Sequence, residues 1–246
     1  MSKVKPPISR SNTILIVVAV VAVIGIIIFL ARHKGTNPTP QTQNSVGTAP
    51  KDFHGIPPEG IGGDPDLNKE KNRWVAPASY TDMSVAEIIA INHDELSAVG
   101  KAMRSRWTSA AVDEATTDEN KAVRVTGYIA HAKESGSEAC NGKSDVYHDF
   151  HIWITPSPND DKNQGIIVEA TPFWKEQFPD WQLHTFEKLA NEHAKVRVSG
   201  WLLWDEEHGD EVGKSRGSLW EIHPFTKFEV FIDGTWQNIA RGLAFN

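Results

Sequence analysis

The sequence of 246 residues has a single cysteine, Cys140, so no intramolecular disulfide can form and a disulfide-stapled small fold is excluded. It also lacks a G-x-S-x-G nucleophile elbow, a P-loop, a dinucleotide-binding fingerprint, an H-E-x-x-H motif and a C-x-x-C pair. These absences count against the enzyme and zinc-site classes that the motifs mark. A mean hydropathy of −0.38 excludes a protein built mostly of membrane spans.

Long apolar runs are absent except for one, residues 13–31, which contain no charged side chain. A helix of this length can cross a hydrocarbon core of about 30 Å, so the run predicts a transmembrane helix. The alternative is a cleaved signal peptide, whose apolar region usually spans about 7–15 residues. The greater length and the basic residues that follow, Arg32 and Lys34, favour an uncleaved signal anchor. The basic residues of 1–12 predict a cytoplasmic N-terminus and an extracytoplasmic C-terminal domain.

Residues 32–73 are rich in glycine, proline, asparagine and threonine and have little apolar periodicity. This composition predicts a flexible linker whose root-mean-square reach is on the order of 35 Å. The linker is expected to hold the following domain clear of the bilayer.

Residues 74–120 are predicted to be a helical segment. Ser84 followed by Glu87 has the spacing of a capping box, and apolar residues then recur at helical spacing. The pattern predicts one helix over 84–106, followed by a polar connection over 108–120.

Residues 121–246 change to alternating and β-branched runs, which are typical of strands. The predicted strands cover 122–131, 146–155, 165–171, 195–204 and 219–231. One helix, over 181–193, is placed between strands 3 and 4. This element order is that of an all-β, five-stranded OB-like barrel. Two strands share the pattern V-x-V-x-G, and the glycines, Gly127 and Gly200, are predicted to allow a bend or bulge as the barrel closes.

The element order and the two V-x-V-x-G strands resemble OB-fold domains over about half of the chain. The blocks DFHI at 149–152, EATP at 169–172 and WEIHP at 220–224 resemble those of uncharacterised, membrane-anchored bacterial envelope proteins. The resemblance implies a fold, and it attaches no established activity.

Strand parity places several polar and aromatic side chains on the outward face of the predicted barrel. Val146 and His148 fall on the opposite, core side. A ligand-binding surface is predicted to include Tyr128, His151, Trp153 and Glu169. A divalent-metal site, for Zn or Mn, is predicted from Asp149, His151, Glu169, Glu221 and His223. The candidate acid–base groups are His223 and His208, and Cys140 is interpreted as a structural loop cysteine rather than a nucleophile. The alternative is that these side chains bind nothing, because a sheet face exposed to solvent carries polar residues in any case.

The balance of charge in the predicted barrel is acidic, with 13 Lys and Arg against 19 Asp and Glu over 121–246. Since nucleic-acid binding relies on basic side chains, nucleic acid is predicted to be an unlikely partner. The leading hypothesis is a single-pass membrane protein, not an enzyme and without a cofactor, whose extracytoplasmic barrel binds an envelope protein, a glycan or a small molecule. The alternatives are a metal-dependent, phosphodiesterase-like hydrolase and a purely structural envelope component.

Overall fold

The computed structural model describes residues 48–239. Within these residues the helices are α1 (Pro65–Lys71), α2 (Val85–Ile89), α3 (Asp94–Ser97), α4 (Ser109–Glu119), α5 (Pro172–Gln177) and α6 (Leu183–Asn191). The strands are β1 (Thr81–Ser84), β2 (Ala122–Glu134), β3 (Phe150–Thr155), β4 (Ile166–Ala170), β5 (Lys195–Trp204), β6 (Trp220–Ile232) and β7 (Thr235–Asn238). Short 3₁₀ turns occupy Arg104–Arg106, Lys162–Gln164 and Glu206–Glu211.

Strands β2 to β6 close into a mixed five-stranded barrel. Strand β2 pairs antiparallel with both β3 and β5, β3 pairs antiparallel with β4, and β5 pairs antiparallel with β6. The barrel closes through one parallel pairing, in which Val168 of β4 lies opposite Ile222 of β6. This strand connectivity is that of an OB barrel, so the predicted five-stranded barrel is confirmed.

The structure adds elements that the sequence patterns did not predict. Strand β1 pairs in parallel with β2, and β7 pairs antiparallel with β6. Helix α6 lies within the predicted helix over 181–193, and an additional helix, α5, precedes it. Because β1 precedes the barrel, these helices lie between the fourth and fifth described strands, and their place in the strand order therefore differs from the prediction.

The barrel interior is filled by the alternate apolar residues of its five strands, which form one continuous core. Helix α6 packs its buried residues Phe186 and Leu189 into this core, where Phe186 contacts the ring of Phe228 edge-on at a centroid distance of 5.0 Å. The outward side chains of the strands are thereby left to face loops and solvent, which is where the ionisable groups collect.

Gly127 and Gly200 lie where neighbouring barrel strands approach each other closely. A Cβ atom at Gly200 would lie 2.3 Å from the carbonyl oxygen of Pro224, and one at Gly127 would lie 2.7 Å from that of Thr155. The register of β5 against β6 also shifts on both sides of Gly200. A side chain at either position would force two strands apart.

The prediction of a flexible linker over 32–73 is corrected for its described part. From 48 to 73 the chain packs against the barrel, with Phe53 and Ile56 in a small apolar cluster with Trp74. Asp64 caps α1 by accepting hydrogen bonds from the first helical turn, and Pro65 begins the helix. Local composition missed this segment because many of its contacts are made with residues 40 to 150 positions away.

The predicted single helix over 84–106 is also corrected. The capping box of Ser84 and Glu87 is present, but α2 ends at Ile89, and α3 and a 3₁₀ turn follow. The polar connection predicted over 108–120 is helix α4, capped by Thr108. That helix has little amphipathic character, so apolar periodicity could not reveal it.

The transmembrane helix predicted over 13–31 lies outside the described residues. Among residues 48–239, no helix combines the length and the apolar character needed to span a membrane.

We expect Gly200→Ala to lower the free energy of unfolding by about 1–3 kcal/mol, the usual cost of forcing extra volume into a packed site. Gly136→Ala is the matched control, because a Cβ there meets no atom within 4 Å and its φ is not positive. Chemical unfolding of the two full-length variants measures the difference. Equal stabilities would contradict the close approach at Gly200.

Candidate metal centre

The outward faces of β3, β4 and β6 carry imidazole and carboxylate side chains at neighbouring positions. His151 of β3 lies directly across the sheet from Glu169 of β4. The parallel pairing of Val168 with Ile222 brings Glu169 beside Glu221 and His223 of β6. Because alternate residues face the core, all four polar side chains emerge on the same side of the barrel.

The loop between β2 and β3 brings three more potential ligands to this face. Asp149 precedes β3 and is tied to the end of β2, where its backbone N–H donates to Ser135 Oγ at 3.0 Å and its carbonyl accepts from Ser135 N at 2.9 Å. Glu138 and Cys140 lie in the preceding turn, which is closed by a hydrogen bond of 2.7 Å from Lys143 N to Glu138 O. The loop therefore places Glu138, Cys140 and Asp149 against the sheet.

Glu169 is the centre of the cluster. Its Oε2 atom lies 3.1 Å from His151 Nε2 and 3.3 Å from His223 Nδ1. His151 Nε2 is also 3.4 Å from Glu138 Oε1. Asp149 and His223 are fully buried, and Glu169 is 2% exposed. One carboxylate oxygen thus joins side chains from three barrel strands in a site that excludes solvent.

Several buried polar atoms of the cluster have no hydrogen-bond partner among the described residues. They include both carboxylate oxygens of Asp149 and Nε2 of His223, whereas Glu169 Oε2 and His151 Nε2 lie 3.1 Å apart as an ion pair. A buried polar group without a partner costs free energy, so a concentration of them requires an explanation.

The ligand-type atoms also meet the spacing of a metal centre. Atoms of Asp149, Glu169 and His223 all lie within 4.8 Å of one another, as do atoms of Glu138, His151 and Glu169. A third set, Glu138, Cys140 and Asp149, shares members with both. These sets include four of the five predicted metal ligands. The fifth, Glu221, belongs to none of the sets.

Burial and neighbouring charges shift the pKa values of the cluster in opposite directions. Burial lowers the pKa of His223 to about 4, which keeps its imidazole neutral. Burial also acts to lower the pKa of His151, but the carboxylates of Glu169 and Glu138 outweigh it and raise the value to about 11. Burial, together with the charges of Glu138 and Glu169, raises the pKa of Asp149 well above its usual range. Burial, with the charge of Asp149 added, likewise raises the pKa of the Cys140 thiol.

A second group of charged side chains, Glu221, Arg216 and Asp205, lies next to the cluster around Glu169. The Glu221 carboxylate accepts a hydrogen bond of 3.1 Å from His223 Nδ1, and its other oxygen is 3.2 Å from Arg216 Nη1. Arg216, which is 1% exposed, also lies 3.1 Å from Asp205. Burial raises the pKa of Glu221 to about 7, and the charge of Asp205 adds to the shift. Glu221 is therefore placed to orient His223, as the outer carboxylates of metal-binding histidines do.

The described part of the predicted linker packs over these charged side chains. Lys71 of α1 is buried, and its Nζ lies 3.4 Å from Glu207. Burial acts to lower the pKa of Lys71, but the negative charges of Asp205, Glu138 and Glu169 raise it well above its usual value. Neighbouring Arg73 donates to the carbonyl oxygens of Leu202 and His223 at 2.7 and 3.0 Å. The N-terminal segment thus supplies both a cover and a positive charge.

The remaining predicted site residues do not join the cluster. Tyr128 pairs with Thr155 at the far end of β3. Trp153 is 3% exposed and donates from Nε1 to the carbonyl of Ser215 at 2.6 Å, so it is not an open binding surface. His208 bonds Asp205 at 2.5 Å and is outside the ligand sets.

The predicted core side chains at the start of β3 are corrected. Val146 is 79% exposed, and His148 is only partly buried. Both precede β3, which begins at Phe150, so strand parity does not apply to them.

Sequence reasoning missed Glu138, Lys71 and Arg216 as members of the site. Each lies in a loop or a helix outside the barrel strands, where side-chain alternation carries no information. One local signal was present: the acidic residues at 205–211 indicate that a basic side chain such as Arg216 lies nearby to balance their charge.

Comparison with known proteins gives little further guidance. No family model matches the chain, and no curated protein matches it. Among solved structures, the chain is similar to one titled "Crystal structure of yeast Stn1 and Ten1", with 14% identity and a TM-score of 0.35. The match covers 76% of this chain and 80% of that chain. It assigns no ligand to this chain.

The prediction that nucleic acid is an unlikely partner is corrected at this point. The chain forms an OB barrel, a fold that binds oligonucleotides in other proteins. The prediction rested on net charge summed over 121–246, and such a sum ignores local grouping. Lys133 and Lys162 both lie over the Trp153 ring, at 5.5 and 5.3 Å from its centroid.

We expect Arg216→Met to lower the free energy of unfolding by about 3–5 kcal/mol, because it leaves the buried Asp205 and Glu221 without their cation. Lys101→Met is the control, since Lys101 and its partner Asp210 are 60% and 67% exposed. An exposed pair contributes less than about 1 kcal/mol. Urea unfolding of the full-length variants measures both losses, and comparable losses would show that Arg216 does not neutralise the buried carboxylates.

Proposed function

We propose that this protein is a membrane-tethered OB-fold binding protein whose barrel holds a divalent metal ion, Zn or Mn, in the cluster around Glu169. The observation that carries the proposal is that Asp149, Glu169 and His223 bring ligand atoms within 4.8 Å of one another, while both Asp149 oxygens and His223 Nε2 are buried without a hydrogen-bond partner among the described residues. An ion coordinated by these atoms satisfies polar groups that no described residue satisfies.

The chemistry of the side chains supports a transition-metal ion. Imidazole nitrogen and carboxylate oxygen bind Zn²⁺ at about 2.0–2.2 Å, so two ligands of a tetrahedral ion lie about 3.3–3.6 Å apart. The distance from Glu169 Oε2 to His151 Nε2 is 3.1 Å, close to that spacing. His223 is neutral and Glu221 holds its Nδ1, as a metal-binding histidine requires.

The burial of the cluster supports a stabilising ion rather than a hydrolytic one. A hydrolytic metal keeps an open position for water and substrate, whereas structural sites are closed by protein ligands. Asp149 and His223 are fully buried, and the segment 48–73 covers this side of the barrel. The ion would join the β2–β3 loop to three strands and so set the shape of the face that the barrel presents to a partner.

We expect the purified full-length chain, freed of metal by chelation, to bind Zn²⁺ in equilibrium dialysis followed by metal analysis. Asp149→Asn and His223→Gln each remove one ligand and are expected to weaken binding by at least about 10-fold to 100-fold, the usual effect of disturbing a metal site. In the wild type, zinc at 100 times its dissociation constant should stabilise the fold by about 2.7 kcal/mol.

The matched controls are Asp82→Asn and His184→Gln, which make the same changes at exposed positions. Both should bind zinc as the wild type does. Circular dichroism of each metal-free variant separates lost binding from lost folding. If neither Zn²⁺ nor Mn²⁺ binds the wild type, the metal proposal fails.

The tether is proposed on the sequence. The apolar run over 13–31 suits a signal anchor, and the basic residues of 1–12 favour a cytoplasmic N-terminus. With this topology the barrel, and any partner that it binds, lies outside the cytoplasm.

We expect a reporter that is active only outside the cytoplasm to be active when it is fused after Asn246 of the full-length chain. A reporter that is active only in the cytoplasm should be silent at the same position. Deleting residues 13–31 should reverse both results, because export then fails. The opposite pattern in the full-length fusions would overturn the proposed topology.

A further inference from the structure

We propose that Cys140 is the sulfur ligand of the ion held by Asp149 and that it makes the centre selective for zinc over manganese. This inference rests on the proposed function, in which the cluster binds a divalent ion, and it names the class of that ion.

Asp149 connects the cysteine to the rest of the cluster. Its carboxylate belongs to the set with Glu169 and His223 and also to the set with Glu138 and Cys140 Sγ, each with all atoms within 4.8 Å. Both of its oxygens are buried and lack a partner among the described residues. Asp149 is therefore the carboxylate that has the thiol within ligand spacing in one set and the Glu169 carboxylate and His223 imidazole within ligand spacing in the other.

The turn that carries Cys140 is held firmly in place. Gly142 N donates to Ala139 O at 3.1 Å, and Asn72 Nδ2 donates to the Cys140 carbonyl at 2.8 Å. A Cβ at Gly142 would lie 2.9 Å from Ile56, so the turn packs directly on the N-terminal segment. A positioned side chain loses little entropy when it binds an ion, which favours coordination.

The surroundings of Cys140 do not suit the other common roles of a cysteine. The residue is 2% exposed, so it is shielded from reagents and substrates, and it is the only cysteine in the chain. Its Sγ donates to Glu138 Oε2 over a long 3.5 Å. A cation between the sulfur and the carboxylates replaces this weak contact with metal–ligand bonds, and the thiol proton leaves to solvent as the sulfur–metal bond forms.

A sulfur ligand changes which ion the centre prefers. Thiolate is a soft ligand that suits zinc, whereas sites built from carboxylate, carbonyl and water suit manganese and magnesium. Without Cys140 the centre is a mixed carboxylate–imidazole site that accepts either zinc or manganese. With it, the centre favours zinc.

The test uses the full-length chain loaded with Co²⁺, a spectroscopic substitute for zinc. Wild type is expected to show the intense near-ultraviolet absorption of sulfur-to-cobalt charge transfer. Cys140→Ser should bind Co²⁺ without that absorption, and its preference for Zn²⁺ over Mn²⁺ should fall at least tenfold. Glu138→Gln, which keeps the thiol, should retain the charge-transfer band even where its affinity is lower.

The outcomes separate this inference from the proposed function. If wild type binds Co²⁺ without the charge-transfer band, or if Cys140→Ser keeps the wild-type spectrum and zinc preference, the sulfur ligand is excluded while the metal site stands. If wild type binds no ion, both proposals fail. Unfolding of metal-free Cys140→Ser shows whether the variant folds, and Cys140→Ala provides a second sulfur-free variant if serine does not.

Discussion

Burial of ionisable side chains on the outward face of β3, β4 and β6 is the constraint on which the arrangement around the barrel depends. Removing a charge from water costs several kcal/mol even after the protein relaxes, so each buried charge needs a partner or must lose its charge. In the structure, most of these buried charges have a partner of opposite charge or a hydrogen-bond donor. Glu169 lies between two imidazoles, Glu221 lies between His223 and Arg216, and Asp205 shares the same arginine. Asp149 is the member whose oxygens remain without a partner among the described residues.

The N-terminal segment follows from the same constraint. Residues 48–73 have the composition of a linker, yet Lys71 contributes a buried positive charge beside the carboxylates, and Arg73 binds backbone carbonyls of two barrel strands. Removing this cover would expose the charged face and leave an apolar cluster around Trp74 incomplete. The segment is therefore part of the folded domain.

A metal ion in the cluster gives one physical explanation for several separate observations. It accounts for unpartnered oxygens on Asp149, for a neutral imidazole at His223 held by an outer carboxylate, and for a buried thiol directed at carboxylates. Such an ion would fasten the loop between β2 and β3 to the barrel without joining in a reaction. A domain with a single cysteine and no disulfide would gain from an ion the cross-linking that a disulfide would otherwise supply.

Alternation along the chain predicted much of the barrel and part of the site. The run from 195 to 204 was predicted with its observed bounds, and Gly127 and Gly200 occur where barrel strands approach each other closely. The outward direction of His151, Glu169, Glu221 and His223 also follows from strand parity, because side chains alternate in any strand. These features are local, so neighbouring residues in the sequence are enough to specify them.

Only the tertiary structure decided which of those side chains meet and what covers them. The parallel pairing of β4 with β6 brings Glu169 to His223 across more than fifty residues of sequence, and a loop adds Glu138 and Cys140. Lys71 and Arg216 enter from a helix and a turn whose local sequences give no sign of a shared site. The same applies to the supposed linker, whose order comes from contacts with distant strands rather than from its own composition. Sequence patterns specified the directions of the side chains, whereas burial, charge compensation and the spacing of metal ligands arose only when distant segments packed together.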